Sequence, residues 1–375
     1  MPKARKKILI INNSAWGIFN FRLNLANSIL NNNHEVIFCF PFDNKYTIEI
    51  KKKYKCRNVF LRRGSKNIFS EILSFLNLLY IFIIERPILV CLFTIKPNLY
   101  GSLICRLLRV SNIVNITGLG TSFLGSSFDK KFIIMLYRFS LKKTDSVFFQ
   151  NQTDLNLFVK YRIICNQDYQ IIPGSGVDLK KFNSNFKIPN KKYKFLFIGR
   201  LLKDKGVFEY LEASKMLSNK FKNIEFHLIG PLDYENRSSI SKTTLKSITM
   251  HSQIFYHKQT DDIKKFIEIS DCIVLPSYRE GMPRVILEAF AMKTNVIASN
   301  CAGCNEIVDD RANGLLCKPK SALDLYKKMN DMYLLSKKVK LKMAVNGRLK
   351  VTRFYNDKIV SKIYLDHIKN LTNDR

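Results

Sequence analysis

The sequence predicts an α/β fold made of two doubly wound, parallel-sheet domains, and three observations carry that prediction. Apolar, strand-like runs alternate with helical patterns along the whole chain, as expected of parallel sheets flanked by helices. A stretch rich in Pro, Gly, Asn and Lys, residues 173–192, interrupts the alternation near the middle. A buried-strand run, Phe195–Ile198, then restarts it. With 375 residues and 46% hydrophobic content, the chain can bury the cores of about two ordinary domains.

The first domain is expected over residues 1–172. It opens with a strand Ile8–Ile11, a polar turn Asn12–Gly17, a helix Phe19–Asn31 and a strand Glu35–Phe40. Further strands are expected at Asn58–Leu61, Ile88–Thr94, Asn112–Thr117, Ser146–Phe149 and Tyr169–Ile172, with helices between them. The first turn holds Gly17 but no GxGxxG, so the dinucleotide fingerprint is absent. After the connection 173–192, the second domain covers 193–355, with later strands at Glu225–Ile229, Gln253–Tyr256, Asp271–Leu275 and Asn295–Ala298. From Ala322 the pattern is helical and amphipathic, and residues 356–375 read as a C-terminal helix crossing back to the first domain. Ligands of such sheets bind outside the carboxyl ends of the strands. A substrate is therefore expected in a cleft across which the two domains face each other.

The 62 Lys and Arg against 30 acids leave a net charge of +32. These cations are spread over the chain and form no recognised nucleic-acid module, so no nucleic-acid partner is expected. A lysine-rich solvated surface and attraction to an anionic membrane or acidic acceptor are compatible readings. Nine cysteines are scattered, several inside apolar runs, as buried thiols of a reducing compartment are. Cys301 and Cys304 form a lone CxxC with no second pair or His partner, which argues against a metal or redox role.

The basic residues Lys3, Arg5, Lys6 and Lys7 precede an apolar run too short for a signal core. The longest lipid-like stretch, Ile72–Ile84, is closed by Glu85-Arg86-Pro87 and falls short of the roughly 20 residues that span a bilayer. A cytoplasmic chain is expected, with peripheral contact to the inner membrane. A candidate contact is Asp129–Lys143, where Lys130, Lys131, Arg138, Lys142 and Lys143 interleave with Phe132, Ile133, Ile134, Leu136 and Phe139.

The chemistry concentrates in Tyr278–Phe290, YREGMPRVILEAF, directly after the apolar run Cys272–Leu275. Two carboxylates, Glu280 and Glu288, flank a turn-Pro-helix segment. A helix start offers unsatisfied N–H groups and partial positive charge, so it suits a phosphate better than an acid. Both features fit if the helix end takes a diphosphate and the carboxylates take hydroxyls, which describes a nucleotide-sugar pocket. Pro283 in the first turn loses no useful N–H, and Gly281 allows close backbone approach. The N–H groups of Met282, Arg284 and Val285 are left to meet oxygen. Arg200 and Lys205, in GRLLKDKG, sit on a strand-to-helix loop. Arg grips phosphate in bidentate fashion and Lys acts as a point charge, so both suit a departing diphosphate.

These segments bring the chain to a family. GRLLKDKG, PSYREGMPRVILEAFAM and NVIASNCAGCNEIVDDRANGLL resemble the phosphate loop, the E-x7-E motif and the following segment of retaining glycosyltransferases of family 4. IIPGSGVDLKKF resembles that family's passage between domains. FTIKPNLYGS, ITGLGTSF and FFQNQTDLNLF resemble a subgroup that builds bacterial surface polysaccharides or lipid-linked oligosaccharides. The resemblance implies the GT-B fold of two Rossmann-like domains and transfer of a hexose or N-acetylhexosamine from a nucleotide-sugar, expected to be UDP-linked. The acceptor it implies is a saccharide, expected to be carried on a polyprenyl diphosphate. It also implies retained anomeric configuration, by front-face attack, and no metal or other cofactor.

By position, Glu280 would face donor-sugar hydroxyls, Glu288 the ribose, and Arg200 and Lys205 the diphosphate, while Gly17 would let the first domain close on the donor. Where many relatives carry a first-domain His, this chain reads Asn115-Ile116-Thr117-Gly118-Leu119-Gly120-Thr121, so Thr117 and the backbone of Gly118 are the acceptor-side candidates. His257 is given no catalytic role. The alternatives are a UDP-N-acetylglucosamine 2-epimerase-like enzyme of the same fold, which the E-x7-E segment disfavours, and a basic nucleic-acid-binding protein.

Overall fold

The computed structural model describes residues 5–43, 45–61, 67–119, 127–183, 191–233, 238–250 and 253–373. Residues 184–190 of the expected connection, and Gly120 and Thr121, lie outside these. The chain divides into two compact units, one of Met1–Ser175 with Asp357–Arg375 and one of Gly176–Asn356.

In the first unit the order is β1 (Lys7–Ile11), α1 (Ala15–Phe21), α2 (Leu23–Asn31), β2 (Glu35–Phe40), α3 (Lys45–Lys51), β3 (Lys55–Asn58), α4 (Ile68–Glu85), β4 (Leu89–Phe93), α5 (Ile95–Leu108), β5 (Ser111–Ile116), α6 (Ser127–Leu141), β6 (Ser146–Phe149), α7 (Gln152–Lys160) and β7 (Asp168–Ile171). The second unit holds β8 (Tyr193–Ile198), α8 (Val207–Lys220), β9 (Ile224–Ile229), α9 (Lys242–Thr249), β10 (Ile254–His257), α10 (Ile263–Glu268), β11 (Cys272–Leu275), α11 (Arg284–Ala291), β12 (Asn295–Ser299), β13 (Leu315–Cys317), α12 (Ala322–Leu334) and α13 (Lys337–Phe354). Helix α14 (Asp357–Asn373) belongs to the first unit, where Asn115 Nδ2 donates to Tyr364 Oη at 2.7 Å.

Each unit is one parallel sheet. The strand order is β3-β2-β1-β4-β5-β6-β7 in the first and β10-β9-β8-β11-β12-β13 in the second. The chain winds outward from β1 and then restarts at its other neighbour, β4, with Ile8 beside both Val36 and Leu89. In the second unit the same reversal falls between β8 and β11, with Phe195 beside both Phe226 and Cys272.

Central strands are apolar on both sides because helices cover both faces. In the first unit Leu9, Ile37, Val90 and Val114 point to α4–α7, while Ile8, Val36, Leu89 and Ile113 point to α1–α3 and α14. In the second, Phe195, Phe226 and Val274 meet α8 and α12, while Leu196, Ile273 and Val296 meet α10, α11 and α13. Helix starts are set by side-chain caps: Ser14 accepts from Gly17 N, Asn151 from Asp154 N and Ser321 from Asp324 N.

Three expectations need correction, and one strand was not expected. The third strand is Lys55–Asn58, not Asn58–Leu61; Val59 N still donates to Phe40 O at 3.2 Å just past its end, and Val59 and Leu61 are buried in the core with Leu78 of α4. The helix expected over Phe19–Asn31 is two helices broken at Arg22 (φ −123°). Gly17 lies inside the first turn of α1 rather than in a loop. The short strand β13 carries too few residues to show a period.

Candidate active site

The segments leaving β8 and β11 are the two that the sequence singles out, and these strands flank the point where strand order reverses. That is where an open parallel sheet leaves a crevice at its carboxyl edge. Lys205 ends a single 3-10 turn, Lys203–Lys205, that leads into α8. The next residue, Gly206, has φ +73°, and a Cβ there would stand 2.1 Å from the Pro276 carbonyl oxygen. The loop after β8 therefore presses on the loop after β11 where only glycine fits. Tyr278 N donates to Asp204 O at 2.9 Å, and Tyr278 Oη donates to Glu209 Oε1 at 2.5 Å.

These contacts seat Lys205 Nζ 2.7 Å from Glu280 Oε1, with the two side chains only 20% and 14% exposed. The loop after β12 closes the other side. Glu280 N donates to Ala302 O at 3.2 Å, and a Cβ on Gly303 (φ +79°) would stand 2.4 Å from Gly281 O.

Helix α11 starts beside this pair. Its N-cap is Pro283, which makes no side-chain cap hydrogen bond. Pro283 thus precedes the helix by one residue instead of opening it, and its conformation (φ −73°, ψ 102°) is extended. The side chains of Met282 and Val285 pack on the core. Arg284 Nε donates to Glu288 Oε1 at 2.8 Å, one turn along the same helix. Burial raises the Glu288 carboxyl above its ordinary range, and Arg284 opposes that rise.

Arg200 and Lys205 each meet a different acid. Arg200 Nη1 lies 3.3 Å from Asp233 Oδ2, and its side chain is half-exposed. Lys205 and Glu280 are brought together, as are Arg284 and Glu288, whereas Gly17, Thr117 and Gly118 belong to the other unit.

In that first unit, Gly17 packs against Asn12 at the exit of β1, and a Cβ on it would stand 2.9 Å from Asn12 Oδ1. Thr117 and Gly118 leave β5 half-buried, with Gly118 at φ +116°. Sequence reasoning missed two residues here. Asn12 Oδ1 and Thr94 Oγ1, at the exits of β1 and β4, are buried without a hydrogen-bond partner among the described residues, and Thr94 holds φ +75°. Their signal was position alone: each directly follows a strand at the reversal of strand order.

His257 ends β10, its Nε2 3.0 Å from His227 Nδ1; burial lowers both pKa values, which favours two neutral rings sharing one proton bridge. Cys301 donates to Ser277 O at 3.3 Å, and all nine cysteines are free thiols.

Two doubly wound units, with a cation–carboxylate pair beside a helix start at a switch point, are the build of a GT-B glycosyltransferase. The chain belongs to the glycosyltransferases: the family described as glycosyl transferases group 1 matches residues 179–350, and the glycosyl transferase 4-like family matches residues 7–151. It is similar to the N,N'-diacetylbacillosaminyl-diphospho-undecaprenol alpha-1,3-N-acetylgalactosaminyltransferase of Campylobacter jejuni, 28% identical over 381 residues, covering 96% of this chain and 97% of that protein. It is also similar to the UDP-Gal:alpha-D-GlcNAc-diphosphoundecaprenol alpha-1,3-galactosyltransferase of Escherichia coli, 26% identical over 337 residues, covering 84% and 83%. Among solved structures, a glycosyltransferase from Rickettsia africae superposes with a TM-score of 0.77 at 18% identity over 100% of both chains, a likeness of fold.

Proposed function

We propose that this glycosyltransferase takes a hexose or N-acetylhexosamine from a UDP-sugar and adds it, with retention, to a saccharide carried on a polyprenyl diphosphate at the cytoplasmic face of the membrane. The observation that carries the donor half is the Lys205–Glu280 pair, 2.7 Å apart at the carboxyl edge of β8 and β11 and next to the start of α11. The acceptor half rests on the two relatives, whose names both specify a sugar linked through diphosphate to undecaprenol. The names specify N-acetylgalactosamine in one case and UDP-galactose in the other, so both sugar classes stay in the reading.

In the proposed reaction the acceptor oxygen bonds to the sugar anomeric carbon as the bond from that carbon to the diphosphate oxygen breaks. The acceptor proton passes to the departing diphosphate on the same face, which preserves configuration. Lys205 and Arg200 stabilise the negative charge that develops there, together with the N–H groups opening α11. No metal is required on this reading, because the cations stand at the leaving group. Glu280, held by Lys205, faces donor hydroxyls; Glu288, held by Arg284, faces the ribose.

The test incubates the protein with labelled UDP-glucose, UDP-galactose, UDP-N-acetylglucosamine or UDP-N-acetylgalactosamine and a polyprenyl-diphosphate-linked monosaccharide, with and without a chelator. Label moving from one donor into the organic phase, undiminished by the chelator, is the expected result. No transfer from any donor would sink the proposal.

A further inference from the structure

Helix α4 has an inverted pattern. Every one of its exposed residues is apolar or aromatic, and Phe69, Leu73, Leu76, Tyr80 and Ile83 are each more than half exposed. Its two acids turn inward: Glu71 Oε1 lies 2.6 Å from Lys96 Nζ, and Glu85 is buried among Lys7, Lys55 and Arg57. A surface helix of a water-soluble domain places its charges outward. Single exposed apolar residues are ordinary, but a continuous face of them marks an interaction site.

The surface continues on the neighbouring helices. α5 packs beside α4, and α6 beside α5. On α6, Phe132, Met135 and Phe139 recur at helical spacing and are also more than half exposed. A groove across the three helices is lined by Phe75, Leu103, Leu107 and Phe139 together with Arg106, Arg109 and Lys143. Arg86, Lys131, Arg138 and Lys142, on or next to α4 and α6, are also exposed.

We infer that the outer face of α4, with the α6 residues alongside, docks in the plane of an anionic phospholipid bilayer, its apolar side chains among the acyl chains and the surrounding cations at the headgroup phosphates. The partner follows from the chemistry: an apolar stripe bordered by cations is what such an interface receives. A second copy of this chain fits poorly, because its cations would face the same cations. The helix lies in the plane instead of spanning, since Leu78, Ile81 and Phe82 hold it in the core and Glu85 ties its end to β1 and β3. The sequence pointed to α6 as the membrane contact; the structure gives the larger apolar area to α4.

The inference rests on the reading of a lipid-carried acceptor, and acceptor-free vesicles separate the two. The full chain is floated with vesicles of phosphatidylglycerol and phosphatidylethanolamine, and with phosphatidylcholine alone, at low and high salt. Binding to the anionic vesicles is expected, weakened by salt. The double variant L73E/L76E should lower the partition coefficient on the order of a hundredfold, because two large apolar side chains leave the acyl region. Transfer to a short-chain, water-soluble acceptor should stay unchanged in that variant, which shows that it folds. Equal flotation of parent and variant, or no flotation of the parent, would overturn the inference while leaving the transferase reading intact. So would sedimentation showing that the parent pairs through this face and that the variant does not. Flotation without transfer from any donor would instead remove the transferase proposal.

Discussion

Lys205 and Glu280 stand 75 positions apart in the chain, and their contact is a statement about charge. A lysine held by one carboxylate oxygen is, on the proposed reading, positioned before the diphosphate arrives, so little reorganisation is needed when negative charge develops. On the proposed reading, Lys205→Ala lowers kcat by on the order of 10²–10³, with a smaller change in KM and a melting temperature within a few degrees of the parent. Glu280→Gln lowers kcat as well. Because the two side chains touch, the double variant should lose less than the product of the single losses. Steady-state kinetics on the three variants decides this; near-normal turnover of Lys205→Ala removes the assignment.

At the scale of elements, α4 is held at its C-terminal end by an unusual anchor. Glu85 is 2% exposed and has three cations around it, which are themselves 33–42% exposed. Burial by itself would raise its carboxyl, but hydrogen bonds from Lys7, Arg57 and Lys55 outweigh burial and hold it below the ordinary glutamate value. A depressed folded value stabilises above the unfolded value of about 4.3 and is lost as pH falls through the folded one. Glu85→Gln should therefore lower stability by about 1–2 kcal/mol at neutral pH, discounted for the exposure of the cations. The gap between parent and variant should narrow as pH falls below the unfolded value and through the folded one. Denaturant titrations at a series of pH values measure it, and a gap that widens towards acid would contradict this account of the anchor.

At the scale of the molecule, each unit carries its own sheet and core, and the proposed donor residues other than Gly17 lie in Gly176–Asn356. UDP at a hundred times its Kd should stabilise the state that binds it by about 2.7 kcal/mol. Hydrogen exchange should then slow in 199–206 and 278–290 more than anywhere in the first unit. Protection confined to the first unit would place the nucleotide elsewhere.

The sequence by itself determined the two parallel sheets, most strand positions and the segment Tyr278–Phe290, because alternation, turn chemistry and motif spacing are local properties of a chain. It located Glu85 only as the close of an apolar run, and it missed β13, which is too short to show a period. The tertiary structure alone decided which acid each cation meets and which side of α4 is buried. Lys205 reaches Glu280, and Arg200 reaches Asp233, through the packing of loops from separate strands. The polar residues of α4, Ser70, Glu71, Ser74 and Asn77, lie on its less exposed side, the reverse of what an amphipathic pattern declares, so only the packing beneath it could set its orientation.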